Sequence, residues 1–239
     1  MEHSRPQAPP FPTARPHCVS CCTSGRPEPV PSGAYCPILF FDIAGFGDPD
    51  RDDDVQMFAR WGLYRILGKA FDRAGISWDA CYHEDRGDGA LSVIPPTIPM
   101  DRVVALPVWL QAEIRRYNKC ASPVARIQLR AALHVGPVHR DEHGISGQAV
   151  IHAARLVDAQ PAREALAASG ADLVFLASES VYESVIRHGP QPMDAAGYRQ
   201  ITAVVKGSAV NAWMTVSGIP DPLGRLESQL RLTSVAEPA

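Results

Sequence analysis

No stretch of this 239-residue sequence stays apolar over the ~18–20 residues that a membrane span requires. Its first residues, MEHSRPQAPPFPTARP, hold no apolar block of secretory type, so a soluble cytoplasmic protein without a membrane partner is expected. Positive charge is not in excess. The 23 Lys and Arg face 26 Asp and Glu, and a net charge of -3 excludes a nucleic-acid binder that works by phosphate neutralisation. Cysteine is sparse and poorly placed for metal. Of six, Cys18, Cys21 and Cys22 lie in HCVSCC, and Cys36, Cys81 and Cys120 are scattered. Without a second CxxC, a closed four-ligand zinc site lacks half its ligands. His17 with the three clustered cysteines is a possible set, but a reduced cluster in an unfolded arm is the expected reading. A disulfide framework does not suit that compartment.

What is present is globular in bulk, at 46% hydrophobic. The length suffices for one domain with its own core. Residues 1–34 carry eight of the 22 prolines and no apolar periodicity. Such a segment cannot bury a core, so it reads as a disordered arm. Residues 218–239 read as a tail with one short helix. The domain is therefore expected over 35–217.

Within it, PILFFDI (37–43) is a continuous apolar run suited to a buried strand. It stops at AGFGDPDRDDD, turn residues followed by the acidic chemistry of a helix start. The aspartates of 48–54 lack the ligand spacing of a calcium loop. Val55, Phe58, Gly62, Ile66, Ala70 and Phe71 then recur at helical spacing. ISWDACYHE and GALSVI read as two strands joined by DRGD. MDRVVALPVWLQAEIRRYNK is helical, with a kink or boundary at Pro107. ARIQLRAALHVG alternates as a strand, 147–159 is a helix, and ADLVFLA is a buried strand. SESVYESVIRHG opens with a Ser cap and an acidic first turn, so it is a helix. YRQITAVV and VNAWMTV close the domain as a strand pair around KGSA. The order predicts an α+β fold, with helices covering one mostly antiparallel sheet.

Two carboxylates stand out. Asp42 ends a buried strand, where an unpaired charge is costly, and Asp88 sits in the hairpin RGDGAL. Carboxylates with carbonyl oxygens are the ligands Mg²⁺ takes. Gly87 and Gly89 are expected to let a phosphate or metal approach the hairpin backbone. The histidines at 83, 134, 139, 143 and 152 fall at several element ends and are not expected to form a second metal site.

FFDIAGF, then RGDGALSV about 45 residues later, then SGQAVIHAARL, then VVKGSAVNAWMTV, resemble in order the signature of class III nucleotidyl cyclases, the adenylate and guanylate cyclase catalytic domain. The resemblance spans roughly 37–216 and implies that family's ferredoxin-like, palm-like fold. It implies that Asp42 and Asp88, with the main-chain carbonyl of Ile43, hold two Mg²⁺ or Mn²⁺ ions. Backbone around Ala44, Gly45 and Phe46 would face the triphosphate. Glu84 falls at the base-recognition position, where a Glu resembles guanylate cyclases and a Lys adenylate cyclases. Gly144 falls at the second base-contact position, with neither usual residue. Arg155 matches the arginine that stabilises the transition state, and Lys206 the lysine that binds polyphosphate. The resemblance also implies a homodimer with composite sites, the metal residues of one chain facing Arg155 and Lys206 of the other.

One departure is sharp. The family pattern V-N-x-A-x-R reads Val150, Ile151, His152, Ala153, Ala154, Arg155 here, so the ribose-contacting Asn is Ile151. Losing one transition-state donor typically costs on the order of 10²–10³ in rate. A slow cyclase, a lyase acting on a nucleoside triphosphate, is one expectation. Glu84 favours GTP, while Gly144 and Ile151 leave a pyrimidine triphosphate open, as in the stand-alone cyclases of bacterial antiphage signalling that this small chain resembles. The alternative is a pseudo-cyclase that binds a nucleotide or another protein. A diguanylate cyclase is disfavoured, because RGDGAL carries no G-G-[DE]-E-F pattern.

Overall fold

Along the first strand Cys36, Ile38 and Phe40 point one way and Leu39, Phe41 and Ile43 the other, and all six are buried. A strand apolar on both sides needs cover on both faces. The computed structural model, which describes residues 32–205 and 208–218, supplies it. The central strand β1 (Ala34–Ile43) pairs on one side with β3 (Gly89–Val93), and β3 with β2 (Tyr82–Asp85). On its other side come β4 (Leu129–Asp141), β6 (Leu173–Ser178), β8 (Ser208–Ser217) and β7 (Arg199–Val205). A short β5 (Gly144–Ser146) folds back on the end of β4. Among the described residues every pairing is antiparallel except β4 with β6. This is the expected α+β architecture.

Helices α1 (Asp53–Arg73), α2 (Met100–Val104) and α3 (Leu106–Cys120) pack on the Leu39–Phe41–Ile43 face. Helices α4 (Gln148–Val157) and α5 (Gln160–Ser169) cover the Ile38–Phe40 face. A short α6 (Glu179–Ser184) adds Val181 to the first layer.

Several local readings change. Trp78–Ala80 is a 3₁₀ turn, so the edge strand begins only at Tyr82. Pro107 lies in the first turn of α3, where its missing N–H costs nothing, and marks a boundary rather than a kink. The hairpin partner β5 and the helix α5 were not expected. Helix α5 is opened by Pro161 and closed by Gly170 at φ 60°. Ser178 precedes α6 without capping it; its hydroxyl is 2.9 Å from His134 Nδ1. Asp52 does cap, accepting from the Val55 N–H at 2.9 Å, so the aspartate run is a helix start. Residues 1–31 of the expected arm, the His17 and cysteine cluster, the tail helix, and Lys206 in its turn lie outside the described residues. Gly33 and Ala34, expected in the arm, instead join the sheet: the Gly33 N–H donates to the Val138 carbonyl at 2.7 Å and Ala34 opens β1. No helix among the described residues is long and apolar enough to cross a membrane.

Candidate functional site

Strand β1 ends in the middle of the sheet, so its last side chains are met from both neighbours. Asp42 lies opposite Gly89 on β3 and Arg130 on β4. Its side chain is only 18% exposed, and its Oδ2 accepts from Arg130 Nε at 2.7 Å and from a second guanidinium nitrogen. The next residue, Ile43, donates its N–H to the Asp88 carbonyl at 2.9 Å. That bond brings the two aspartates to adjacent strand ends. Asp88 is exposed. Burial pushes the Asp42 carboxyl above its ordinary range, against the Arg130 hydrogen bond and charge, and the charges of Asp88 and Asp158 push it further. The Arg130 guanidinium is the cation that meets Asp42 in this structure.

No group of three or more His, Cys, Asp and Glu suited to a metal occurs among the described residues. The donor set is instead two carboxylates and main-chain carbonyls. It fits an ion such as Mg²⁺, which takes one or two carboxylates and completes its shell with water and phosphate.

The charged hairpin HEDRGDGA divides its labour. Asp85 ties the turn to α1, accepting from Arg60 and from Tyr64 Oη at 2.9 Å, and from the Gly87 N–H at 2.7 Å. Arg86 pairs with Glu84 at 2.6 Å. His83 is packed flat on Trp78, 3.6 Å between centroids, with its two ring nitrogens 2.8 Å from Ser92 Oγ and 2.9 Å from the Trp78 carbonyl. That leaves Asp88, whose charge acts on Asp42. The glycines have structural grounds of their own. Gly87 has φ 84°, and a Cβ on Gly89 would lie 2.0 Å from the Phe41 carbonyl oxygen. Sheet geometry, before any ligand, requires them.

After β1 the chain turns through Ala44, Gly45 and Phe46. The Ala44 N–H is taken by the Gln128 carbonyl at 2.9 Å, Gly45 turns at φ 64°, and the Phe46 ring packs on the core. Beside this turn opens a cavity of about 360 Å³ whose charged lining is three arginines, Arg51, Arg130 and Arg163, against one acid, Asp48. Arg51 Nη1 is buried without a hydrogen-bond partner. The sequence reading missed all three. The register that sets Arg130 against Asp42, 88 residues apart, is not visible in one sequence.

Asp42 shares a sheet face with Phe40, so it lies on the side covered by α4. Tyr82 packs in the same layer, and Glu84, two residues on, shares its face. Glu84 accepts from Tyr82 Oη at 2.5 Å and from the Ile145 N–H at 3.3 Å. Gly144, at φ 130°, sits against it, and a Cβ there would lie 2.7 Å from Glu84 Oε1. On α4, Ile151 is 42% exposed. His152 turns inward against His134, 4.4 Å between ring centroids. Arg155 Nε is buried without a partner.

A comparison with protein-family models found no match, and one with curated protein sequences found none either. Solved structures do match. An adenylate/guanylate cyclase/hydrolase from Silicibacter pomeroyi is 21% identical with a TM-score of 0.55, over 77% of this chain and 96% of that one. The guanylate cyclase domain of RhGC from Catenaria anguillulae, in complex with GTP, is 20% identical at TM-score 0.52, over 78% and 97%. The catalytic core of a rhodopsin-guanylyl cyclase with converted specificity, in complex with ATPαS, is 18% identical at 0.54, over 78% and 96%.

The chain has the class III nucleotidyl cyclase fold.

Within this cyclase fold the sequence-derived positions among the described residues form three groups. Asp42, Ile43 and Asp88 meet at the end of β1, beside the turn 44–46. Glu84 and Gly144 meet where β2 approaches β5. Ile151 and Arg155 lie four residues apart on α4, and so on one helix face.

Proposed function

We propose that this protein is a nucleotidyl cyclase that converts a nucleoside triphosphate to a 3′,5′-cyclic nucleotide and pyrophosphate. The observation that carries the reading is the convergence of Asp42 and Asp88 beside an arginine-lined cavity, on a cyclase fold. In this reaction the ribose 3′-oxygen forms a bond to the α-phosphorus. The bond from that phosphorus to the α–β bridging oxygen breaks, the hydroxyl proton is released, and pyrophosphate leaves.

Asp42, Asp88 and the Ile43 carbonyl would hold two divalent ions, Mg²⁺ or Mn²⁺. Bound there, such ions lower the pKa of the 3′-hydroxyl and neutralise the leaving pyrophosphate. Arg130 neutralises Asp42 in their absence. Its guanidinium, with those of Arg51 and Arg163, gives the cavity a charge suited to a triphosphate. The amides of Gly45 and Phe46 would face the phosphates, the Ala44 amide being committed to Gln128. Lys206 is assigned to the polyphosphate on its sequence match. Arg155 would act on the transition state across a homodimer interface, making each site composite. Glu84, by its sequence position, would meet the N1–H and 2-amino group of guanine by exchanging its Arg86 pair for them, so GTP is the favoured substrate. A pyrimidine triphosphate is the second class to test. The setting proposed is signalling in the cytoplasm, antiphage defence included.

Ile151 favours a second reading. An exposed isoleucine offers the ribose no hydrogen bond, as expected of a pseudo-cyclase that binds nucleotide without turnover. The test is incubation of the purified protein with each of the four ribonucleoside triphosphates and Mn²⁺ or Mg²⁺, with mass detection of cyclic products. Product from the native chain and none from a folded Asp88→Ala chain supports the enzyme. Metal-dependent binding without product supports the pseudo-cyclase, and neither binding nor product overturns both.

A further inference from the structure

On the face away from the site, α1 and α3 leave a groove of about 430 Å³ between them. Its wall is aromatic: Phe58 and Trp61 are 42% and 47% exposed, and Phe58 lies 5.9 Å from both Trp61 and Tyr117, centroid to centroid. Its floor is built in by a glycine. A Cβ on Gly62 would lie 2.4 Å from the Tyr117 ring, so only glycine lets that ring lie across α1. Its rim is basic, with Arg65, Lys69 and Arg116. Arg65 stands over Trp61 at 4.4 Å. The one acid in the lining, Glu113, is buried and already paired with Arg73 at 2.8 Å. Exposed aromatics ringed by cations mark a binding surface.

We infer that the chain's own C-terminal segment, residues 219–239, docks in this groove as an amphipathic helix. The chain leaves the sheet at the C-terminal end of α3, the helix that forms one wall of the groove. The Gly218 carbonyl accepts from the Asp172 N–H at 3.2 Å, and Asp172 Oδ1 accepts from Asn118 at 2.9 Å. Asn118 follows Tyr117 directly in α3. The sequence beyond, IPDPLGRLESQLRL, predicts a helix. Asp221 stands at the N-cap, Pro222 at the first helical position, and Leu223, Leu226 and Leu230 on one face. A helix over 222–231 is about 15 Å long and fits within residues 58–69 of α1, which span about 18 Å. Charge selects this segment over the other end of the chain. Residues 219–239 carry three acids against two arginines, and Glu227 borders the leucine face. Residues 1–31 carry three arginines against two acids and would meet a rim of their own sign. The mode is a helix in a groove, read through leucine anchors.

Cys120 lines the groove and is exposed, which makes it a reporter. Its alkylation rate, followed by peptide mass, is to be compared between the full chain and the full chain carrying Leu226→Glu and Leu230→Glu. The docked segment should slow Cys120 labelling about ten-fold in the native chain, and the double variant should abolish the protection. A synthetic 219–239 peptide should restore it to a chain ending at Gly218, whichever variant folds better. Equal rates in native and variant chains, with no protection by the peptide, overturn the inference. Protection lost on deleting residues 1–31 gives the groove to the arm and also overturns it. So does protection that disappears on dilution together with a dimer seen by light scattering.

Discussion

Replacing Gly89 by alanine tests the assembly of the site by sterics. The added Cβ would stand 2.0 Å from the Phe41 carbonyl oxygen and 3.2 Å from the Asp42 Cα, both backbone atoms in the centre of the sheet. Neither can swing aside as a side-chain tip would. To restore van der Waals contact, β1 and β3 must part by about 1.4 Å where five residue pairs hold them in register. Overpacking of this kind costs about 3 kcal/mol, the upper end of its usual range. In a domain of this size that lowers Tm by roughly 6–12 °C. Gly87→Ala is the internal control. There φ is 84° and nothing lies within 4 Å of the added carbon, so only backbone strain of about 1–2 kcal/mol applies. Thermal melts followed by circular dichroism separate the two, and Mn²⁺ titration of the folded fraction of Gly89→Ala should show weakened binding. A Gly89→Ala chain that melts with the native protein, or no lower than Gly87→Ala, would refute the reasoning.

Ile151→Asn should raise cyclase turnover by up to ~10²-fold, the scale of one well-placed donor. Ile151 is exposed on α4, so its Tm should change little; turnover of all four triphosphates reads the outcome, and a folded, metal-binding variant without activity rejects the enzyme. Mixing an Asp42→Ala chain with an Arg155→Ala chain, under conditions of subunit exchange, should restore activity that neither has by itself; no recovery argues against composite sites. Burial, reinforced by the His152 charge, pushes His134 down to about 4. The folded state therefore binds fewer protons than the unfolded chain, and the stability due to His134 is complete above pH ~6.5 and lost as pH falls towards 4. Tm measured across that window should fall in the native protein and fall less in His134→Gln.

Local chemistry made much of this fold legible. The continuous apolar run at 37–43, the helical spacing after Val55 and the Pro–Gly punctuation needed no partner to be read, and they became β1, α1 and their turns. The carboxylates were legible because Asp42 breaks an apolar run and Asp88 lies between glycines. What escaped depends on register or on competition. Arg130 looks like one arginine in an alternating strand until β4 is laid against β1. Ser178 looks like a cap until His134 claims its hydroxyl. Helix α5 was hidden because Pro161, which closes a helix read from 147, is here the residue that opens the next one. The strand expected at 76–81 has β-forming residues, but its edge position lets Trp78 turn inward under His83 instead.

The contact between Glu84 and Gly144 binds the histories of two positions together. A Cβ at 144 would displace the Glu84 carboxylate tip, 2.7 Å away, and its residue would have to adopt φ 130°, which L side chains rarely do, while a residue at 84 that does not reach β5 loses the Ile145 N–H contact. Neither position changes by itself without a penalty, so on the proposed base-recognition role of this pair, base preference is expected to change by paired substitutions. A selection for altered nucleotide choice that randomises 84 and 144 separately would then sample mostly damaged proteins, whereas a library varying them jointly would reach the viable combinations.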